Sequence, residues 1–135
     1  MKKLIVNADD FGRHELINSA IERAFINGIC RSASIMAGGA AFEQAVKIAN
    51  IHKNLGIGVH FTLVMGKSVL PHSEIPSLVD NDGNFCDDYI IFMKRYLTVK
   101  IAINEIRLEL SAQIQKIINS GLKISHVDSH QHMHV

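Results

Sequence analysis

No run of this sequence approaches the roughly 20 consecutive apolar residues that a membrane-spanning helix needs, which argues against a membrane-embedded chain. Charge of one sign is also missing. Fourteen Lys and Arg stand against thirteen Asp and Glu, a formal net charge of +1, so there is no basic field of the kind that holds phosphate backbones or anionic lipid. Neither nucleic acid nor a membrane surface is an expected partner. Cysteine is scarce: Cys30 and Cys86 lie far apart with no CxxC spacing, so no disulfide framework is indicated and reduced thiols are the expectation. The opening Met1-Lys2-Lys3 is followed by only Leu4-Ile5-Val6 before polar Asn7, too short for the apolar core of a secretion signal. A cytoplasmic location is therefore expected.

What is present suits one folded domain over residues 1–135. Apolar residues make up 47% of the chain and charged residues 20%, ordinary values for a globular protein and too hydrophobic for a disordered one. Histidine stands out. There are eight, and His126, His130, His132 and His134 all fall within the last ten positions.

Strand and helix patterns alternate along the chain. Lys3 to Asn7 is a short apolar run ending in polar residues, as a buried parallel strand does. Leu16, Ile17, Ala20, Ile21, Ala24 and Phe25 then recur at helical spacing, and Gly28 stands where a left-handed helix end is wanted. Ser32 to Met36 reads as a second strand, closed beyond Ala37 by Gly38-Gly39. A helix with Phe42, Ala45, Val46 and Ala49 on one face leads to a third strand, Leu55 to Phe61. This βαβ order implies a parallel sheet covered by helices, an α/β fold. Both prolines, Pro71 and Pro76, sit in an irregular stretch from Thr62 to Phe85, where Asp82-Gly83 signals a tight turn and a small hairpin. Asp87 to Ser120 reads as helical, with Ile103, Ile106, Leu110, Ile114 and Ile117 as its core stripe and Gly121 at its end. Lys123 to Asp128 is the last strand.

Three polar clusters fall at the carboxyl ends of these strands: Asn7-Ala8-Asp9-Asp10, His60, and His126 through His134. That edge of an α/β sheet is where sites are built. Each cluster taken alone has a plain structural reading. Asp9 and Asp10 can cap the helix that follows, His60 can be a hydrogen-bonded core histidine, and the terminal histidines can form a solvated edge. If Asp10 instead binds a cation, Asp9 is left to take a proton from a water beside it. Alternation along the last strand places His126, Asp128 and His130 on one face, a carboxylate between two imidazoles, which suits a ligand held by an outer hydrogen-bond partner. Asp80-Asn81-Asp82-Gly83 is a turn and not a calcium loop, since the later ligand positions do not fit.

The stretches Val6-Asn7-Ala8-Asp9-Asp10-Phe11-Gly12, Gly58-Val59-His60-Phe61-Thr62-Leu63 and His126-Val127-Asp128-Ser129-His130-Gln131-His132-Met133-His134 together resemble the YdjC-like family, which includes chitooligosaccharide deacetylases. The resemblance implies a distorted (β/α) barrel of the polysaccharide deacetylase type. It also implies a divalent metal ion, magnesium or zinc, held by Asp10, His60 and His130, with Asp9 as the base. By the same analogy His132 and His134 line the pocket for an amino-sugar oligosaccharide. A complete barrel of this type needs about 200 to 250 residues, so this chain is expected to supply its amino-terminal part, with the general acid beyond it. Open sheet edges are then expected to drive self-association, as a dimer.

Overall fold

The computed structural model describes residues 2–132. Four strands form one wholly parallel sheet in the order β1-β2-β3-β4: β1 Asn7–Phe11, β2 Ser32–Ile35, β3 Gly56–Phe61 and β4 Ile124–Ser129. Helices α1 Glu15–Asn27 and α2 Phe42–Ile51 connect the first three strands. Helices α3 Tyr89–Leu97 and α4 Ile103–Asn119 precede β4, and a 3-10 turn, His130–His132, follows it. This is the expected α/β architecture, consistent with part of a (β/α) barrel. None of the described helices is long and apolar enough to cross a membrane.

The strand alternation separates two faces. Ala33, Ile35, Ile57 and Val59, none more than 4% exposed, point to the helices and join Phe11, Ile21, Phe42, Ala45 and Ile117 in the main core. Full burial of an Ile or Val stabilises by about 1.5–3 kcal/mol, so this face holds the sheet to its helices. The opposite face carries polar and very small residues, Ser32, Ser34, Gly56, Gly58, His60, His126 and Asp128.

β1 begins later than its apolar run implies. Leu4 and Ile5 are each 82% exposed, and pairing to β2 starts at Asn7. Hydrophobicity placed the strand too early because Asn7 and Asp9 belong to the polar face, where the rule for a strand buried on both sides does not hold. His14 caps the start of helix α1, its Nδ1 accepting from the Leu16 N–H at 3.1 Å. Gly28 ends it, but with extended rather than left-handed backbone; a Cβ there would sit 2.7 Å from the Ala24 carbonyl oxygen.

The Asp87 to Ser120 stretch is two helices, not one. Asp88 caps α3 by accepting from the Ile90 and Ile91 N–H groups, and the chain breaks at Val99, whose φ is 55°. The α4 stripe then serves two cores. Ile114 and Ile117 pack on the main one, while Ile106 and Leu110 pack on a second cluster of Leu63, Val64, Ile75, Leu78, Val79, Phe85, Phe92 and Ile101. Ile103, at the first turn, is 53% exposed.

Polar side chains of α4 fasten the 62–85 stretch to it. Buried Glu109 accepts from the backbone N–H groups of Val69 and Leu70 at 2.9 and 3.0 Å, and Gln113 bonds both the N–H and the C=O of Thr62. The hairpin expected around Asp82-Gly83 is present, with antiparallel bridges Lys67 to Asn84 and Val79 to Phe85. Asp80 closes its turn by accepting from the Asp82 and Asn84 N–H groups. The Asn84 N–H, foremost, holds the Asp80 carboxyl below its ordinary range.

Candidate metal centre

Adjacent residues of a regular strand face opposite sides, yet both Asp9 and Asp10 reach the carboxyl rim of the sheet. The cause is a bulge in β1. Ala8 pairs with Ala33 and Phe11 with Ile35, so Asp9 and Asp10 together stand opposite the one residue Ser34. The extra residue kinks the strand, and Asp10 takes a left-handed φ of 62°, which aspartate tolerates better than most. Gly12 completes the turn at φ 94°; its N–H donates at 2.7 Å to buried Asn18 of α1, whose amide also binds the Ala41 carbonyl ahead of α2. Neither aspartate caps α1, the place being held by His14.

His60, 3% exposed, lies at the end of β3, and His130 opens the turn after β4. The chain leaves the strand at Ser129 and turns through Gln131 and His132, at φ 52° and 57°. His130 therefore reaches the rim from the turn rather than as a continuation of the strand face shared by His126 and Asp128.

Three atoms converge there. Asp10 Oδ1 lies 3.0 Å from His130 Nδ1 and 3.3 Å from His60 Nε2, and the two ring nitrogens are 3.4 Å apart. Neither approach to Oδ1 has hydrogen-bond alignment, so this oxygen is buried without a donor. Metal–ligand bonds of about 2.1 Å place neighbouring ligands about 3.0 Å apart in an octahedron and about 3.4 Å apart in a tetrahedron. The observed triangle and its orphaned carboxylate oxygen therefore fit a divalent cation. Burial holds the pKa of His130 below its ordinary 6.5, against an opposing pull from Asp10, which keeps the ring in the neutral form a metal ligand requires.

Asp9 belongs to an overlapping group. Its carboxylate lies with His60 and Asp128 so that one potential ligand atom from each falls within 4.8 Å of the others. Within that group, His60 Nδ1 and Asp128 Oδ1 are already hydrogen-bonded to each other at 2.6 Å. Arg13 reaches back to Asp10 Oδ2 at 2.9 Å, leaving Oδ1 to face the two imidazoles. Arg13, the ion-pair partner of Asp10, also lines a cavity of about 330 Å³ with Met36, Thr62, Met65, Lys67 and Asp87. Gly38 and Gly39 serve close packing: a Cβ on either would collide with the Lys67 or Gly12 carbonyl oxygen. His132 is exposed beside the rim; His134 lies outside the described residues.

One residue near the centre, Ser34, carries no obvious motif, and it is tied to Asn7 of the first polar cluster. Ser34, fully buried, donates from Oγ to Asp128 Oδ2 at 2.5 Å, and the Asn7 amide donates to both Ser34 Oγ and Asp9 Oδ1 at 2.9 Å. The signal available for Ser34 was the period-two placement of Ser32, Ser34, Gly56 and Gly58 in otherwise apolar strands.

Comparison with known proteins places the chain in a family. Residues 3–135 match the family described as YdjC-like protein. The chain is 40% identical over 134 residues to a carbohydrate deacetylase of Brevibacillus brevis and 39% identical over 132 residues to one of Geobacillus stearothermophilus, covering 98% and 96% of this chain but 50% and 49% of those proteins. A crystal structure of an Enterococcus faecalis protein named for cellobiose-phosphate cleavage superposes with a TM-score of 0.87 at 37% identity, over 98% of this chain and 50% of that one. The chain thus spans about half the length of the curated relatives it matches. On its sequence and its fold alike, it is a member of the YdjC-like protein family.

Proposed function

We propose that this chain carries the metal-binding part of a carbohydrate deacetylase that removes N-acetyl groups from amino-sugar oligosaccharides such as chitooligosaccharides. The observation that carries the reading is the triangle of Asp10 Oδ1, His60 Nε2 and His130 Nδ1, with edges of 3.0 to 3.4 Å. Those three residues would hold the ion, magnesium or zinc. A divalent cation there supplies Lewis acidity, polarising a carbonyl oxygen and making a water easier to deprotonate. Asp9, held by the Asn7 amide, takes the proton of the attacking water as its oxygen adds to the acetyl carbonyl carbon. Breakage of the C–N bond then gives acetate and, once the nitrogen is protonated, the free amine. The group protonating that nitrogen is assigned outside this chain. His132 and His134 are assigned to sugar contacts, and a cytoplasmic location belongs to the same reading.

Release of acetate from N,N′-diacetylchitobiose, assayed with added zinc or magnesium, tests the reaction. Acetate formation that disappears in Asp9→Asn while the ion still binds supports the assignment; full activity in that variant overturns the role of Asp9. Ion binding with no acetate release would identify instead a non-catalytic metal-binding unit, a reading favoured by the half-length match to the relatives.

A metal-dependent phosphoesterase is the other reading with an observation behind it, since Arg13 and Lys67 line the same cavity and a phosphate ester needs such cations. It ranks lower because Arg13 is engaged by Asp10; phosphate release from a sugar phosphate without acetate release from the acetylated sugar would reverse the order. Self-association is part of the proposal too. β1 and β4 are edges of the sheet, and Leu4, Ile5 and Val127 are exposed beside them, so light scattering is expected to show a dimer.

A further inference from the structure

The polar face of the sheet holds a chain of hydrogen bonds whose direction is fixed by counting donors. The Asn7 amide nitrogen donates to Asp9 Oδ1 and to Ser34 Oγ, both at 2.9 Å. Ser34 has one proton to give, and its shortest contact is to Asp128 Oδ2 at 2.5 Å, the distance of a hydroxyl bonded to a carboxylate. Ser34 Oγ is then an acceptor toward His126 Nε2 at 3.1 Å, so that ring presents an N–H there, which the Asn7 amide oxygen, also at 3.1 Å, can share. A carboxylate accepts only. The 2.6 Å contact between His60 Nδ1 and Asp128 Oδ1 therefore requires the proton on Nδ1. A neutral imidazole protonated on Nδ1 has its lone pair on Nε2, the atom facing Asp10 and His130.

From this arrangement we infer that Asp128, oriented by Ser34, is a positioning residue that fixes His60 in its Nδ1–H tautomer and so keeps Nε2 open as a cation ligand. The inference rests on the metal-site reading proposed above and adds to it the residues that prepare the ligand. Three strands contribute: Ser34 from β2, His60 from β3 and Asp128 from β4. Asp128 pairs in register with His60, and the bond joins neighbours across the sheet. Gly58, two pairs earlier on the same face, leaves room for the His126 ring, since a Cβ there would lie 2.3 Å from His126 Nε2. The same seam ends on Asp9, so the residue assigned as base and one of the assigned ligands are held by a single run of hydrogen bonds.

The test uses this chain, with zinc as the probe, and reads two quantities. Titration against a chromophoric chelator gives zinc affinity, and long-range nitrogen–proton NMR of the metal-free protein gives the His60 tautomer, its signals assigned by comparison with His60→Gln. Asp128→Leu removes the acceptor and is expected to weaken zinc binding by about 10- to 100-fold, the usual effect of losing the hydrogen-bond partner of a metal-bound histidine. His60 should then show protonation at Nε2. Asp128→Asn keeps one oxygen for the Nδ1–H and should restore both readouts in large part, which a purely space-filling role would not predict. Ser34→Ala, a smaller change, should lower affinity less than Asp128→Leu while leaving the tautomer in place, and it keeps the idea testable if the leucine variant does not fold. Unchanged zinc affinity and an unchanged Nδ1–H signature in Asp128→Leu overturn the positioning role. Failure of the unaltered protein to bind zinc instead sinks the metal-site reading, and the metal-free tautomer measurement still decides whether Asp128 orders His60.

Discussion

The two faces of the sheet are built from the same strands and obey different rules. Toward the helices, Ala33, Ile35, Ile57 and Val59 are apolar and at most 4% exposed, and shape and volume decide what fits. On the other face, Asn7, Ser34, Asp128 and His60 meet through specific hydrogen bonds, and donor and acceptor identity decides. Alternate residues of β2 show the contrast within four positions: Ala33 and Ile35 hold the fold while Ser34 arranges the chemistry. Substitutions on one face should therefore move stability with little effect on ion binding, and on the other the reverse.

The largest effect is expected at the rim. His60→Ala removes one of three converging ligand atoms and should weaken zinc binding by more than the roughly 100-fold upper end for losing an outer-shell partner, with the circular dichroism spectrum kept; chelator competition measures the first and far-ultraviolet spectra the second. On the apolar face, Ile35→Ala leaves a cavity beside a fully buried position and should lower unfolding free energy by about 2–5 kcal/mol, read from denaturant titration. Zinc affinity of the folded fraction should be nearly unchanged; a loss as great as that of His60→Ala would collapse the distinction between the faces.

A third variant asks whether the division extends to the second core. Glu109→Gln exchanges one acceptor oxygen for a donor opposite the Val69 and Leu70 N–H groups, which should cost about 1–3 kcal/mol and speed hydrogen exchange at those two amides before the sheet is affected. The smallest expected effect is on pH dependence. The folded-state pKa of His130 lies below 6.5, chiefly through burial, so the folded protein resists protonation that the unfolded chain accepts. Stability is thus fully present above 6.5 and falls as the pH drops from there through the lower folded value. Melting of the metal-free protein across that window should show this decline, and His130→Gln should flatten it.

Much of the α/β order was legible because each connection carries an unambiguous mark, such as the Phe42, Ala45, Val46 and Ala49 face of α2 or Gly121, which ends α4 at φ 81°. The strand-end clusters could be read for a similar reason, since parallel strands deliver their carboxyl ends to one edge. What hydrophobic pattern could not give was register. Leu4 and Ile5 look like a strand interior yet lie exposed, because pairing and the β1 bulge, not apolarity, decide where β1 begins. The break before α4 was equally hidden, for it turns on Val99 at φ 55°, and a β-branched residue gives no warning of a left-handed backbone. Ser34 is silent in the sequence because a serine in a buried strand announces nothing until its acceptor, Asp128, is known from the far end of the chain.

The kink in β1 has a consequence for tolerance to change. Asp9 and Asp10 owe their common side of the sheet to one supernumerary residue opposite Ser34, so loss of a single codon here would do more than shorten the strand. It would iron the strand flat, return neighbouring side chains to opposite faces, and send one acid group in among the helices. A point substitution can disable either carboxylate alone, but a one-residue deletion dissolves their partnership, which makes this stretch far less forgiving of length than of spelling.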